Sequence, residues 1–239
     1  MIRKKHQYGR LLITGGAGFI GNHVVKKLLR AGYDTSQLKI PRSETNDLRK
    51  LDICLKLTRN QDAIVHLAAD SGGIKVNSKS PGALFYDNAM MGLNIIEAAR
   101  INGVKKVIVI SSIRAYPEQA PIPYLEKDLW NGYPEKTGVA YGIAKRILLT
   151  QAQLYRQQYG LNTIYLILPN VYGPGSDINP KTSHLIPTII HKFIQAKKQG
   201  TSLIKIYGHK KSTREFLYVS DAAKAITLSL EKYDHPDPL

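Results

Sequence analysis

Three groups of residues in this 239-residue chain have the types and spacing to do chemistry together. The first is the run Thr14-Gly15-Gly16-Ala17-Gly18-Phe19-Ile20-Gly21, a Gly-x-x-Gly-x-x-Gly spacing. Gly15 permits a tight turn, Gly18 lets the backbone approach a pyrophosphate, and Gly21 lets a helix pack closely on a strand. A helix opening at Phe19 and Ile20 would offer unpaired N–H groups and a positive dipole to phosphates. The second group is Tyr141-Gly142-Ile143-Ala144-Lys145, which puts a phenol and an ammonium on one helix face. An ammonium beside a phenol lowers its pKa from ~10 toward neutrality, so that it can exchange a proton at working pH. The third is Ser111-Ser112, where a hydroxyl can donate to a substrate oxygen. Tyr207 and Lys211 repeat the tyrosine–lysine spacing, but Gly208 carries that segment from a strand into a loop, so the pair has no reason to face each other.

The type of nicotinamide is read at the end of the second strand, where an acid would bind the ribose hydroxyls of NAD. Lys39-Ile40-Pro41-Arg42-Ser43 has no acid there, and Arg42 suits the additional phosphate of NADP. NADP(H) is therefore the expected cofactor, with NAD(H) as the alternative. Asp47 and Leu48 are placed to meet the adenine.

The elements that must hold these groups alternate. Strands are expected over 11–14, 38–40, 63–68, 106–111, 163–168, 203–207 and 215–219. Helices are expected over 19–30, 47–58, 81–101, 139–159 and 184–198, with a last helix capped by Ser220 and running to 231. Val107-Ile108-Val109-Ile110 is apolar on both faces, as a central parallel strand requires. The order predicts an α/β fold: a doubly wound, Rossmann-like parallel sheet with helices on both faces and a small, shortened substrate-binding part. The expected domains are a dinucleotide-binding unit at 1–168 and a partial substrate-binding region at 169–239, interleaved with the last elements of the first. The long Pro/Gly-rich connections 116–138 and 169–183 leave the carboxyl ends of strands, where open α/β sheets bind ligands.

Composition narrows the class. With 43% hydrophobic and 22% charged residues, the chain suits a folded globular protein and not a disordered one. No apolar run reaches the ~18 residues of a membrane span, and the basic start lacks the apolar stretch of a signal peptide. One cysteine, Cys54, leaves no intrachain disulfide and no multi-cysteine zinc site, so no metal is expected. A cytoplasmic protein is expected. The net charge of +16 is scattered in short groups. It reads as a basic solvated surface, with nucleic-acid binding a minor alternative.

These elements in this order resemble the extended short-chain dehydrogenase/reductase (NAD-dependent epimerase/dehydratase) family. Further matches are His66-Leu67-Ala68-Ala69, Asp87-Asn88, Pro169-Asn170-Val171-Tyr172-Gly173-Pro174 and Arg214-Glu215-Phe216-Leu217-Tyr218-Val219-Ser220-Asp221. Within the family the chain is most similar to the GDP-L-fucose synthase group, on Ser71-Gly72-Gly73-Ile74, Ala115-Tyr116-Pro117 and Ser183-His184-Leu185-Ile186-Pro187. The resemblance implies a catalytic set of Ser112, Tyr141 and Lys145, with His184 as an acid for sugar-ring protonation. It implies a cofactor cradle of Gly15, Gly18, Phe19, Ile20, Gly21, Arg42, Asp47, Leu48, Leu67, Ala68, Ala69, Asn88, Ser111, Tyr141, Lys145, Pro169 and Asn170. A nucleotide-sugar, GDP-sugar favoured, would meet Ser112, Arg114, Asn170, His184, Lys192 and Arg214. A homodimer would form through a four-helix interface of the helices at 81–101 and 139–159, with Leu84, Ile95, Ile143 and Leu154 serving core and interface.

Two departures stand out. Arg114 occupies the position where the fucose synthases carry a catalytic cysteine, and the chain stops at Leu239, where relatives continue into most of their substrate domain. The expected activity is NADP(H)-dependent hydride transfer at the sugar 4-position, with Tyr141 as acid/base. The alternatives are a UDP-sugar-type 4-epimerase with tightly held NAD and, from another class, a non-catalytic cofactor-binding scaffold. A 4,6-dehydratase is disfavoured, because its acidic pair would fall at Ile113 and Arg114.

Overall fold

A computed structural model describes residues 6–71, 79–179, 183–206 and 213–239. Five parallel strands, β1 (Leu11–Thr14), β2 (Leu38–Lys39), β3 (Ala63–His66), β4 (Lys106–Ser112) and β5 (Asn162–Leu168), form a sheet in the order β2-β1-β3-β4-β5. Side chains alternate between its faces. Leu12, Ile64, Val107, Val109 and Tyr165 face a core shared with α2 (Leu51–Thr58), α3 (Pro81–Ile101) and α4 (Val139–Tyr159). Leu11, Ile13, Val65, Ile108 and Ile164 face the opposite core, closed by α1 (Phe19–Ala31) and α6 (Val219–Lys232). Both faces are covered, so β1, β3 and nearly all of β4 are buried and the sheet is doubly wound, as expected.

From β1 the chain crosses to β2 on one side and then to β3 on the other. The order reverses between β1 and β3, and the crevice above their carboxyl ends is where such sheets take ligands. A second, two-stranded parallel sheet pairs β6 (Asn170–Tyr172) with β7 (Phe216–Tyr218). Between them lies α5 (Leu185–Gln199), with His184 at its N-cap position. The end of the chain returns to the main sheet. The buried Lys106 ammonium donates to the Tyr233 carbonyl (2.6 Å) and Asp234 (2.8 Å), and the Leu239 N–H donates to the Tyr165 carbonyl (3.0 Å) at the β5 edge.

Several expected boundaries shift. The strand expected from 203 does not form over 203–206: Leu203 is 84% exposed, with no ladder partner to satisfy its backbone. Position 207, and with it the Tyr207–Lys211 pair, lies outside the described residues. β6 was not expected, because Pro169 and Gly173 bracket it like a loop. α2 starts at Leu51 and not at 47, since Asp47 folds back to accept from the Arg49 N–H (3.0 Å) and closes a turn. β3 ends at His66, because Leu67 and Ala68 turn to lie against Gly15. α6 begins at Val219, so Tyr218 takes the N-cap position expected of Ser220. Cys54 is core: its thiol donates to the Leu48 carbonyl, and burial pushes its pKa up to about 12.

Candidate active site

At the carboxyl end of β1 the glycine run does what its spacing requires. Gly15 adopts φ +70°, and a Cβ there would stand 2.7 Å from the Ala68 nitrogen, so only glycine lets the two loops touch. A side chain at Gly21 would collide with the Gly15 carbonyl. The Gly18 N–H is taken by the Gly15 carbonyl (2.9 Å). The amino end of α1 has no side-chain cap and no acidic residue in its first turn, which leaves Phe19 and Ile20 at an electropositive terminus. A Cβ-free cradle beneath an uncapped helix start fits the diphosphate of a dinucleotide.

The floor of this crevice is pinned by a buried pair: Thr14 Oγ1 lies 2.7 Å from His66 Nδ1, across the β1–β3 switch point. Burial, and secondarily the Lys145 charge, lowers the His66 pKa to about 3, so this ring is neutral. Leu67, Ala68 and Ala69 emerge half-buried beside Gly15. Asn88, 2% exposed, spends its amide on holding that loop: it accepts from the Asp70 N–H (3.0 Å) and donates to the Asp70 (2.9 Å) and Leu84 (2.8 Å) carbonyls.

At the β2 end, Arg42 is exposed and its guanidinium has no carboxylate partner among the described residues. Asp47 lies nearby, gripped by Arg49 through Nε (2.9 Å), which holds its pKa at about 2. Arg49 also reaches Asp87 on α3 (3.0 Å) and so ties the β2 side to the β3 side. Leu48, expected to meet the adenine, faces inward: its side chain is 5% exposed within the core.

β4 delivers the serines to different places. The Ser111 hydroxyl is buried and hydrogen-bonded to Tyr165 (2.6 Å), whose own oxygen also reaches the Lys145 carbonyl (2.8 Å). Any cofactor contact at position 111 therefore falls to its backbone. Ser112 ends the strand half-buried, and its Oγ accepts from the Arg114 N–H (3.3 Å) at the start of a short 3₁₀ turn over Ile113–Ala115. That turn lies against α4 at Gly142, where a side chain would collide with the Arg114 carbonyl. Ser112 and Arg114 are thus held beside Tyr141. On α4 the Lys145 ammonium stands 5.5 Å from the centre of the Tyr141 ring.

The electrostatics correct one expectation. Burial pushes the Tyr141 phenol up to about 12, only partly offset by the Arg114 charge, and Lys145 does not bring it toward neutrality. Lys145 pays for the same burial, which lowers it to about 8. At neutral pH the pair is a protonated phenol beside an ammonium. That state suits donation of a proton and not its removal.

The later residues form the outer wall. The His184 carbonyl accepts from the Thr188 N–H (3.1 Å), and although the residue as a whole keeps contact with solvent, its pKa is lowered by partial burial of the ring first and by the Arg114 charge second. A lowered imidazole is neutral at pH 7, against the acid expected there. Half-buried Pro169 leads into Asn170, whose amide donates to the Glu215 carbonyl (3.0 Å) and joins β6 to β7. Lys192 donates to the Lys205 carbonyl (2.8 Å), and Arg214 is exposed, donating to its neighbour's carbonyl (3.0 Å).

One contributor was not read from the sequence. Arg146, 4% exposed, donates to the Ala115 (2.6 Å) and Gly132 (2.7 Å) carbonyls and anchors the long loop to the helix that carries Tyr141. An arginine next to a lysine reads as surface, and no spacing marks it. Of the expected interface residues, Leu84 and Ile95 are buried within the protomer, Ile143 is half-buried and Leu154 is 55% exposed. Among the described residues no helix is long and apolar enough to cross a membrane, and no group of three or more His, Cys, Asp or Glu could hold a metal ion.

The pattern of the NAD dependent epimerase/dehydratase family matches residues 11–238. GDP-L-fucose synthase 1 of Arabidopsis thaliana is 32% identical over 225 residues, spanning 94% of this chain and 69% of that protein. GDP-L-fucose synthase of Escherichia coli K12 is 33% identical over 218 residues, 90% and 67% of the two chains. Among solved structures, a GDP-L-fucose synthetase from Naegleria fowleri bound to NADP superposes with a TM-score of 0.85 at 28% identity, covering 100% of this chain and 77% of that one. A UDP-N-acetylglucosamine 4-epimerase from Methanobrevibacter ruminantium does so with a TM-score of 0.78 at 28% identity, covering 98% and 76%.

Proposed function

This chain belongs to the NAD dependent epimerase/dehydratase family, and from that premise we propose that it is an NADP(H)-dependent reductase of a 4-keto nucleotide-sugar, GDP-sugar favoured. The observation that carries the proposal is the gathering of Ser112, Tyr141 and Lys145 at the carboxyl end of β4, with Tyr141 protonated. A bound nicotinamide supplies the hydride. Tyr141 gives its phenolic proton to the keto oxygen, Ser112 orients that oxygen through its hydroxyl, and Lys145 holds the cofactor ribose and restrains Tyr141. His184, neutral at pH 7, meets the sugar as a hydrogen-bonding wall. The names and NADP ligand of the fucose-synthase relatives support the substrate and cofactor. One buried free cysteine suits the reducing cytoplasm.

Arg114 sets a limit on this activity. Removing a proton beside a ketone needs a base with a pKa near working pH, and a guanidinium stays protonated in proteins. With a GDP-4-keto sugar in heavy water, NADPH absorbance should fall while the carbons flanking the ketone take up no deuterium beyond the buffer rate. A changed sugar with no net NADPH loss would favour 4-epimerisation, for which the likeness to the UDP-N-acetylglucosamine 4-epimerase speaks. Neither change would leave a cofactor-binding scaffold.

A homodimer through α3 and α4 completes the proposal. Its contacts would come from exposed Phe85, Tyr86 and Leu154, not from Leu84 or Ile95. Light scattering at micromolar concentration should give twice the 26.7 kDa of the protomer. A single-protomer mass would reject the interface.

A further inference from the structure

Arg114 is a half-buried cation beside the proposed proton donor, with no anion among the described residues to meet it. Its backbone is fixed from two sides, by the N–H bond to Ser112 Oγ and by the carbonyl packed on Gly142. Its charge reaches both Tyr141 on α4 and His184 at the start of α5, two groups from opposite walls of the cleft. Neither supplies a counter-charge at neutral pH, since the phenol is protonated and the imidazole is neutral. Among the described residues, the Arg114 guanidinium makes no hydrogen bond and has no carboxylate within ion-pairing distance. The contrast with other shielded arginines is clear: Arg100 pairs with Glu97 (2.6 Å), and Arg146 holds two backbone carbonyls. A cation fixed at the cleft without a partner offers an anionic ligand a charge-assisted contact for which no described side chain competes.

We infer that Arg114 forms a carboxylate-binding subsite, and that the nucleotide-sugar this site takes carries a carboxylate on a carbon flanking the one that reacts. The inference rests on the nucleotide-sugar reading above and narrows it to acidic sugars. The diphosphate is the other anion such a substrate offers, but it hangs from the anomeric oxygen, across the pyranose ring from carbon 4. A group beside the Tyr141 hydroxyl meets substituents on the neighbouring carbons instead. A planar carboxylate matches the guanidinium fork with two parallel hydrogen bonds, which a hydroxyl or methyl at the same place cannot form.

The test is calorimetric titration of the protein loaded with NADPH, which cannot oxidise the sugars used. Matched pairs remove the unknown base from the comparison: UDP-glucuronate against UDP-glucose, and GDP-mannuronate against GDP-mannose. In at least one pair the acid should bind about tenfold or more tightly than its neutral partner. Arg114→Gln should bring that ratio to about one. Arg114→Lys keeps the charge without the fork and should lower the ratio at least about threefold, which preserves the test if the glutamine variant does not fold. Equal affinity for acid and neutral sugar in the wild type overturns the carboxylate subsite and leaves the reductase reading standing. A preference that survives in Arg114→Gln, or is undiminished in Arg114→Lys, overturns it too, because another group would then be the receptor. Failure of all four sugars to bind a protein that holds NADPH overturns the nucleotide-sugar reading, and the subsite with it.

Discussion

In β4, Val107, Ile108 and Val109 are wholly buried, whereas beyond Leu168 β7 leaves Phe216 and Tyr218 each 40% exposed and α5 leaves Ile190 and Phe193 more than half exposed. The cause is layering. The five-stranded sheet has helices on both faces, so every strand residue meets a neighbour, while β6 and β7 form a small two-stranded layer that packs on one side only, through Val171 and Leu217, against the core closed by α6. Under the proposed function the two regions also divide the work. Ser112 and Tyr141, proposed to meet one substrate oxygen within hydrogen-bonding tolerance, and Lys145, proposed to restrain Tyr141, hang from the fully packed region. His184, Lys192 and Arg214 hang from the thin one, where a wall can adapt to a substrate. On the proposed reading, rigid packing would serve proton transfer and loose packing recognition.

The largest test of that division compares one substitution from each region. Tyr141→Phe removes a single hydroxyl and should cut turnover roughly 10²–10⁴-fold, with NADPH affinity little changed. Arg214→Ala, in the thin region, should act mainly on KM for the sugar and leave turnover within about threefold. If Arg214→Ala lowered kcat as far as Tyr141→Phe, the division would be wrong.

The packed region also predicts an unusual pH profile. Burial lowers Lys145 to about 8, so its ammonium is present below that pH and lost above it. Tyr141, pushed up to about 12, stays protonated across the same range. For reduction, kcat/KM should hold to about pH 8 and then fall by about tenfold per unit. Lys145→Arg, charged throughout, should remove that limb even if the rate drops. A wild-type limb first appearing near 12 would assign control to Tyr141 instead.

What the sequence disclosed follows the same line. The placement of the glycine run and of the Tyr141/Lys145 pair was legible because backbone geometry and helical spacing set it. The doubly wound sheet was legible from apolar runs, since β4 must be apolar on both faces. The direction of the Tyr141 shift was not legible: a neighbouring ammonium is visible in sequence, whereas the burial that outweighs it belongs to the tertiary structure. Leu48 and Ser111 show the same gap, because their side chains turn into the core at positions where the family pattern points to a ligand. Arg146 was hidden because its partners are carbonyls of residues 115 and 132, which no spacing announces. In the thin region the expected strand at 215–219 forms as β7, but β6 was missed and the one expected from 203 does not form over 203–206. There, pairing and not apolarity decides, and Leu203 found no partner while Asn170 did.

Cofactor choice gives a smaller effect at the edge of the packed region. Arg42 is exposed, with no carboxylate to neutralise it, and no acid stands at the end of β2. NADPH should bind about tenfold or more tightly than NADH, as one charged contact to a phosphate supplies. Arg42→Ala should erase the preference without lowering NADH affinity. A wild type that prefers NADH would move phosphate recognition away from Arg42.

The smallest expected effect lies in the thin region itself, and stability is the readout. Ile95 on α3 is wholly buried, so Ile95→Ala removes core contacts and leaves a cavity, at a cost of roughly 2–5 kcal/mol. Phe193 on α5 is 54% exposed and lies outside both core clusters. Phe193→Ser should therefore change stability by only about 0.5 kcal/mol. In a domain of this size that is a Tm shift of about 1–2 °C. Denaturation should be followed at two protein concentrations tenfold apart. A Phe193→Ser cost that stays small at both confirms that α5 contributes little to folding and is free to shape the substrate wall. A cost above about 2 kcal/mol that grows with concentration would show a second copy covering this face. The contrast between the two regions would then describe the protomer and not the assembled protein.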